Sequence, residues 1–188
     1  SMIESPVPTR AEISDVANVV NEGADCLMLS GETTTGKQPL ECLNILNRIA
    51  SRIESEITPG LSEELKLFRS KAKMLRSAAM LAMKMKNSAV LVFTRSGDLA
   101  AKLGALRPNG APLFAFTDVD GLHRRLRLIW GIEPFHMDFS ADPELTIQNA
   151  IAKLKDENWV QNGDQLITVT NVFASGKIVE SIQLREVE

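Results

Sequence analysis

Residues 89–98 read Ala-Val-Leu-Val-Phe-Thr-Arg-Ser-Gly-Asp, an unbroken apolar run that ends in hydroxyls, a cation and a glycine. A short apolar run without alternation fits a strand buried on both faces, which happens where helices cross over between parallel strands. The segments after it repeat this rhythm. The pattern predicts a helix over Asp98 to Leu106, a strand over Leu113 to Phe116, a short basic helix over Leu122 to Ile129 and a strand over Ile132 to Met137. Asp142-Pro143 then opens a helix through Leu154, because Asp accepts first-turn amides and Pro lacks an N–H that this turn leaves unused. Gln165 to Thr170 and Ile178 to Leu184 flank a turn containing Gly176, and so short a connection marks an antiparallel edge. Together these elements predict a mostly parallel sheet covered on both faces, an α/β domain.

Upstream, Leu65, Phe68, Ala72, Leu75, Ala79, Ala82 and Met85 predict one long helix from Ser62 to Met85, its methionines serving as packing. Thr58-Pro59-Gly60 is the clearest break, and a domain boundary there divides residues 1–60 from 61–188. In the first part, Thr9 and Glu12 form a capping box ahead of the stripe Ile13, Val16, Ala17 and Val20, and Gly23 stops the helix. Ala24 to Leu29 reads as another strand buried on both faces, and Ser30 to Gln38 as a polar loop. Pro39 opens a helix whose stripe runs Leu43, Leu46, Ile49, Ala50, Ile53 and Ile57. Helix, strand, loop and helix make half of a repeating α/β pattern.

The 188 residues are 44% apolar, enough for one full core or two small ones. Lys and Arg number 21 against 24 for Asp and Glu, a net charge of −3, which argues against the basic footprint of a nucleic-acid binder. Charge-free stretches hold too many polar residues for a membrane span, and Ser1-Met2-Ile3-Glu4 has no basic leader, so a soluble intracellular chain is expected. Cys26 and Cys42 are far apart with no nearby His, which suggests two packed thiols rather than a disulfide or zinc site. His123 and His136 read as isolated histidines, and Trp130 and Trp159 as core or interface anchors. His123-Arg124-Arg125 with Arg127 reads as a solvated or subunit-facing basic surface.

Two loops have the composition to hold phosphate. Gly31-Glu-Thr-Thr-Thr-Gly36-Lys37 matches G-x-x-x-x-G-K, the signature of a nucleotide-binding P-loop. Gln38 stands where such a loop needs a Ser or Thr for Mg²⁺, and Pro39 removes a helix-opening amide. The alternative is an ordinary strand-to-helix connection. Thr94-Arg95-Ser96-Gly97-Asp98 brings two hydroxyls, a cation, a glycine and the first amides of a helix together, an arrangement suited to an anion. Asp98 would repel that anion unless it caps the helix and points aside, and a plain capped helix start fits the pattern as well.

Several of these residues also resemble a known family. Pro8-Thr-Arg-Ala-Glu12, Ser14-Asp-Val-Ala17, Gly23-Ala-Asp25 and Met28-Leu-Ser-Gly-Glu-Thr33, with Gly36 and Pro39, are similar to the end of the catalytic barrel of the pyruvate kinases. Val92-Phe-Thr-Arg-Ser-Gly97, Arg107-Pro108, Ala115-Phe-Thr117, Arg125-Leu126, Trp130-Gly131, Pro134 and Gly163-Asp164 resemble that family's C-terminal domain. Ala115-Phe-Thr-Asp118 with Pro134-Phe135 looks closest to its cyanobacterial and plastid-type branch.

The resemblance implies the incomplete end of a (β/α)8 barrel followed by a mostly parallel α/β sandwich. It implies phosphoryl transfer from phosphoenolpyruvate to ADP in glycolysis, with Mg²⁺ and K⁺ in the full enzyme, a homo-oligomer, and a place in the cytoplasm or a plastid. The family's catalytic lysine, Mg²⁺-binding Glu and Asp, potassium ligands and threonine would lie before Ser1. The resemblance therefore implies no catalytic residue and no metal site in this chain. Ser30 and Glu32 would form part of the active-site wall. Thr94, Arg95, Ser96 and Gly97 would hold the phosphate of an allosteric effector, in a pattern like T-x-S-G-x-S/T that has Leu99 at its last hydroxyl position. The stretch matching the second-phosphate site, Asp142-Pro-Glu-Leu-Thr146, is acidic, and Val172 to Lys177 lacks the family's closing G-x-T-N loop. A sugar monophosphate or AMP is expected rather than a bisphosphate. The rival readings are a free-standing nucleotide-binding protein using Gly31 to Lys37, and a purely structural domain that assembles with a separate catalytic chain.

Overall fold

The computed structural model describes residues 1–56, 68–174 and 177–188, and their side chains except at 171–174 and 177–178. The chain divides into two compact units, Ser1–Thr58 and Pro59–Glu188.

The second unit is built around β1 (Ser88–Phe93), whose side chains alternate between two cores. Val90 and Val92 enter one apolar cluster, Ala89 and Leu91 the other, and no face is left to carry polar residues. Four further strands complete the sheet: β2 (Leu113–Thr117), β3 (Ile132–His136), β4 (Gln165–Ala174) and β5 (Lys177–Glu186). Their order is β3-β2-β1-β4-β5. All neighbours are parallel except β4 and β5, the antiparallel edge that the short connection predicts.

Helices α4 (Ser70–Lys84), α5 (Asp98–Gly104) and α6 (Asp120–Leu126) cover one face. Ala78, Ala79 and Ala82 of α4 are buried there, small side chains that let the helix approach the strands closely. The opposite face is covered by α7 (Pro143–Asp156) through Ala150 and Leu154. Asp142 caps α7 by accepting the Glu144 N–H at 2.9 Å, as Asp-Pro predicts. On this face Phe93, Phe116 and Phe135 stack across three adjacent strands, with ring centroids 5.4 and 5.1 Å apart. Trp159 is 47% exposed and lies edge-on to Phe114 and Phe135, while Trp130 takes the Arg107 guanidinium at 4.6 Å.

The long helix predicted from Ser62 starts later among the described residues. Arg69 is extended (φ −92°, ψ 140°), Phe68 is exposed, and α4 begins at Ser70. The prediction over 62–67 lies outside the described residues.

In the first unit, α1 (Arg10–Asn21) packs on α3 (Pro39–Glu54). The capping box is complete: Glu12 N–H donates to Thr9 Oγ1 at 3.3 Å and Thr9 N–H to the Glu12 carboxylate at 2.7 Å. Gly23, with φ 87°, closes the helix in a conformation that L side chains resist. Three expectations fail here. Ser30 to Gln38 is not wholly loop, since Gly31–Thr34 forms a one-turn helix, α2. Ala24 to Leu29 pairs with no strand among the described residues, and Met28 and Cys26 are exposed, so the chain has one packed thiol, Cys42, rather than two. A strand exists only through its ladder partners, and the apolar run reports a tendency to be buried rather than the presence of such partners.

Candidate functional site

Every crossover leaving β1 must go to one side or the other. The chain goes first to β2 and β3 on one side and then returns to β4 on the opposite side. That reversal places a crevice beyond the carboxyl ends of β1 and β4, where open α/β sheets bind ligands. A cavity of about 460 Å³ lies there, lined among others by Phe93, Thr94, Ser96 and Leu99 from β1, α5 and the loop between them, and by Thr146 and Thr170 from α7 and β4. Its walls thus come from helices on both faces of the sheet.

The loop from β1 to α5 is held in one shape by its own polar groups. Gly97 N–H donates to Thr94 Oγ1 at 2.8 Å, and Asp98 N–H to Ser96 Oγ at 3.3 Å. Thr94 N–H donates to the Phe116 carbonyl at 2.9 Å, which ties the loop to the end of β2. Gly97 has φ 85°, a conformation that L side chains resist, and this calls for glycine. Asp98 turns to Lys102, one turn along α5, at 2.5 Å. Thr94 and Ser96 hydroxyls each accept one backbone N–H, and each keeps a proton to donate elsewhere. Across the cavity, Ser140 N–H donates to Thr146 Oγ1 at 2.9 Å, and the Thr170 and Ser181 hydroxyls lie 3.0 Å apart.

Arg95 is not free in the way its sequence position suggests. Its Nε and Nη2 donate to Asp118 Oδ2 at 2.8 and 2.7 Å, and its guanidinium lies 5.4 Å from the centre of the Phe139 ring. The Arg95 hydrogen bonds hold the Asp118 carboxyl below its ordinary range. Lys71, the other cation on the cavity wall, pairs with Glu180 at 2.5 Å.

Sequence reasoning missed Asp118, Lys71, Phe139, Thr146 and Thr170 as part of this site. One signal was available for Asp118. Phe93 and Phe116 are register partners on parallel β1 and β2, so the residues that follow both strands emerge at the same end of the sheet.

Gly31 to Lys37 is folded against phosphate binding. The N–H groups of Thr33 and Thr34 donate to the Ser30 carbonyl, at 3.3 and 3.1 Å, and those of Thr35 and Gly36 to the Gly31 carbonyl, at 3.0 and 2.9 Å. Lys37 N–H donates to the Ile3 carbonyl at 3.0 Å, and its ammonium pairs with Glu4 at 2.5 Å. A P-loop must turn these amides toward the ligand. A Cβ at Gly36 would lie 2.3 Å from the Glu32 carbonyl oxygen, so this glycine is required by its own turn. Ser30 and Glu32 share this turn: Ser30 N–H donates to Glu32 Oε2 at 2.9 Å, and Glu32's own N–H and then that of Ser30 hold its carboxyl below the ordinary range.

The pyruvate kinase alpha/beta domain family matches residues 72–178, more than half of the chain, and the pyruvate kinase barrel domain family matches residues 1–43. The chain belongs to the pyruvate kinase family. Plastidial pyruvate kinase 2 of Arabidopsis thaliana is 37% identical, over all of this chain and 33% of its own length. Chloroplastic pyruvate kinase isozyme A of Nicotiana tabacum is 34% identical, over 95% of this chain and 32% of its own. The chain therefore spans about a third of the length of these relatives. A crystal structure of a Cryptosporidium parvum pyruvate kinase superposes with a TM-score of 0.87 at 29% identity, over all of this chain and 38% of that one.

The aromatic stack, the hydroxyl loop and, apart from Lys71, the lining of the switch-point cavity fall within the residues matched by the pyruvate kinase alpha/beta domain. His123 and His136 depart from the isolation expected of them, since α6 lays one ring against the other at 6.0 Å. The basic cluster beside them is partly neutralised, with Arg124 facing Asp120 and Arg127 facing Glu133, each at 3.6 Å.

Proposed function

We propose that this chain serves a pyruvate kinase as its effector-binding and subunit-contact portion, the transfer of a phosphoryl group from phosphoenolpyruvate to ADP being the work of the whole enzyme. The observation that carries this reading is the cavity at the sheet's switch point, with the hydroxyl loop Thr94 to Gly97 on its wall. The phosphate of a sugar monophosphate or of AMP would take hydrogen bonds from Thr94 and Ser96 and approach the backbone closely at Gly97. Arg95 would supply a charged fork. Phe93 and Phe139 offer apolar wall to the rest of the ligand. The start of α7 carries the carboxylates Asp142 and Glu144 and no cation in its first turn, which disfavours a second phosphate there.

Ser30 and Glu32 border the active site in this reading and take no chemical step. Mg²⁺ and K⁺ belong to the whole enzyme. Among the described residues no three His, Cys, Asp or Glu side chains come together to hold a metal ion. Assembly as a homo-oligomer and a place in the cytoplasm, or in a plastid in view of the chloroplast relatives, complete the proposal. Among the described residues no helix is long and apolar enough to cross a membrane.

Calorimetry on the 188-residue chain tests the reading with ribose 5-phosphate, glucose 6-phosphate, fructose 1,6-bisphosphate, AMP, and ATP with and without Mg²⁺. Metal-independent binding of a monophosphate, abolished in S96D by like-charge repulsion, supports it. ATP binding that requires Mg²⁺ and survives S96D would restore the nucleotide loop at Gly31 to Lys37. A silent panel would leave a structural domain.

A further inference from the structure

The sequence contains two Asn-Gly steps, Asn109-Gly110 and Asn162-Gly163, and the fold makes a matched pair of them. Each is the centre of a four-residue turn. Ala111 N–H donates to the Pro108 carbonyl at 3.4 Å and Asp164 N–H to the Gln161 carbonyl at 3.1 Å. Gly110 and Gly163, with φ 78° and 90°, take the left-handed third position of their turns. Both asparagines are exposed. An Asn-Gly step carries its own reactive pair, because a glycine has no side chain to keep its nitrogen away from the carboxamide carbon of the residue before it.

The two steps differ at that nitrogen. Gly163 N–H donates to the Val187 carbonyl at 2.7 Å, and Val187 N–H returns to the Asp164 carbonyl at 2.9 Å, so this turn is clasped to the residue that follows β5. Gln161 N–H adds a bond to Asp164 Oδ2 at 2.8 Å. Val187 is 2% exposed and belongs to the apolar cluster under α7, which fixes the far side of the clasp. The turn at Asn109 has nothing equivalent. Among the described residues the Gly110 N–H donates to no acceptor, and the turn's own bond is the longer one.

We propose that Asn109 is a site of spontaneous covalent modification, deamidation through a cyclic imide, and that the hydrogen bond from Gly163 to Val187 protects Asn162 from the same reaction. The Gly110 nitrogen gives its proton to solvent base and bonds to the Asn109 side-chain carbonyl carbon. The bond from that carbon to the side-chain nitrogen breaks, and the nitrogen leaves as ammonia. Water then opens the imide at either carbonyl to leave aspartate or isoaspartate, so the net change is one water taken up and one ammonia lost. At Asn162 the same attack must first draw the Gly163 N–H off the Val187 carbonyl. The product at Asn109 places a negative charge, and in isoaspartate one more backbone carbon, in the turn that leads into β2. No ligand in the switch-point cavity is needed for any of this.

The test incubates the 188-residue chain at physiological temperature and mildly alkaline pH, with and without urea, and follows both sites by peptide mapping with mass spectrometry. Circular dichroism establishes that the urea-free sample stays folded. In the folded chain Asn109 is expected to convert about fivefold or more faster than Asn162, the equivalent of one net backbone hydrogen bond. In urea the two rates should approach each other, since the dipeptide is the same and the clasp is gone. N109S should remove the early product and leave the Asn162 rate as it was. Equal rates in the folded chain, or a faster Asn162, overturn the protection by Val187. An Asn109 that converts only in urea overturns the modification site. A rate ratio that persists in urea overturns the structural explanation and assigns the difference to the flanking residues.

Discussion

Leu99 serves two neighbourhoods at once, so replacing it with serine should move stability and affinity in opposite directions. The side chain is 7% exposed, belongs to the apolar cluster of Val90, Val92, Leu103 and Leu122, and also lines the cavity. Truncating a buried leucine to a small residue costs about 2 to 5 kcal/mol. The lower end applies here, about 2 to 3 kcal/mol, because the vacated space adjoins an open cavity that water can enter. For a domain of this size that corresponds to roughly 10 °C in melting temperature. The new hydroxyl sits in the first turn of α5, one residue beyond Asp98. In the proposed effector site it adds one donor to the phosphate, worth about 1 kcal/mol net, or about fivefold in affinity. Differential scanning calorimetry without ligand and isothermal titration with ribose 5-phosphate read the two effects separately. A variant that melts early and binds no better would place the phosphate away from the α5 start. A variant that melts like wild type would refute the packing of Leu99.

Gly36→Ala puts a Cβ against the Glu32 carbonyl and should destabilise the Ser1–Thr58 unit by about 1 to 3 kcal/mol while leaving phosphate affinity in the second unit unchanged. Limited proteolysis with cleavage mapping reads this, and a tolerated alanine would refute the turn. The Arg185 hydrogen bonds hold the Glu144 carboxyl below its ordinary value of 4.5, so the pair's stabilisation is complete above that value and is lost as pH falls through the lower folded one. Melting curves of wild type and E144Q should accordingly differ near neutrality and converge as pH falls below the lowered folded value, and a difference that does not change with pH would refute the assignment.

Much of the second unit is legible because its strand signals and its strand partners lie in the same stretch of chain. Val90 and Val92 need one covering layer and Leu91 another, and the helices predicted between the strands supply both. The same kind of run at Ala24 to Leu29 misleads, since the helices beside it are present but no second strand lies within the described residues of its unit. Composition can state that a segment prefers burial. Only neighbours make it a strand.

The glycines show the same division. Gly97 reads as a place where a phosphate could near the backbone, and what the structure supplies there is a left-handed φ of 85° beside the Leu122 side chain. Gly36 carries an equally good motif, yet the atom it approaches is its own turn's carbonyl, and a motif does not distinguish a ligand oxygen from a backbone one. Asp118 lies deeper still. Its pairing with Arg95 requires that β2 neighbour β1 in parallel, that Phe93 and Phe116 be in register, and that Arg95 extend across the gap. The first of these follows from the crossover pattern, the second from packing over the whole sheet, and the third from the geometry of one loop. A reading that stops at the first finds a cation beside a phosphate loop. One that reaches the third finds that the cation already has a carboxylate partner, which holds its Nε and Nη2 and leaves Nη1 open.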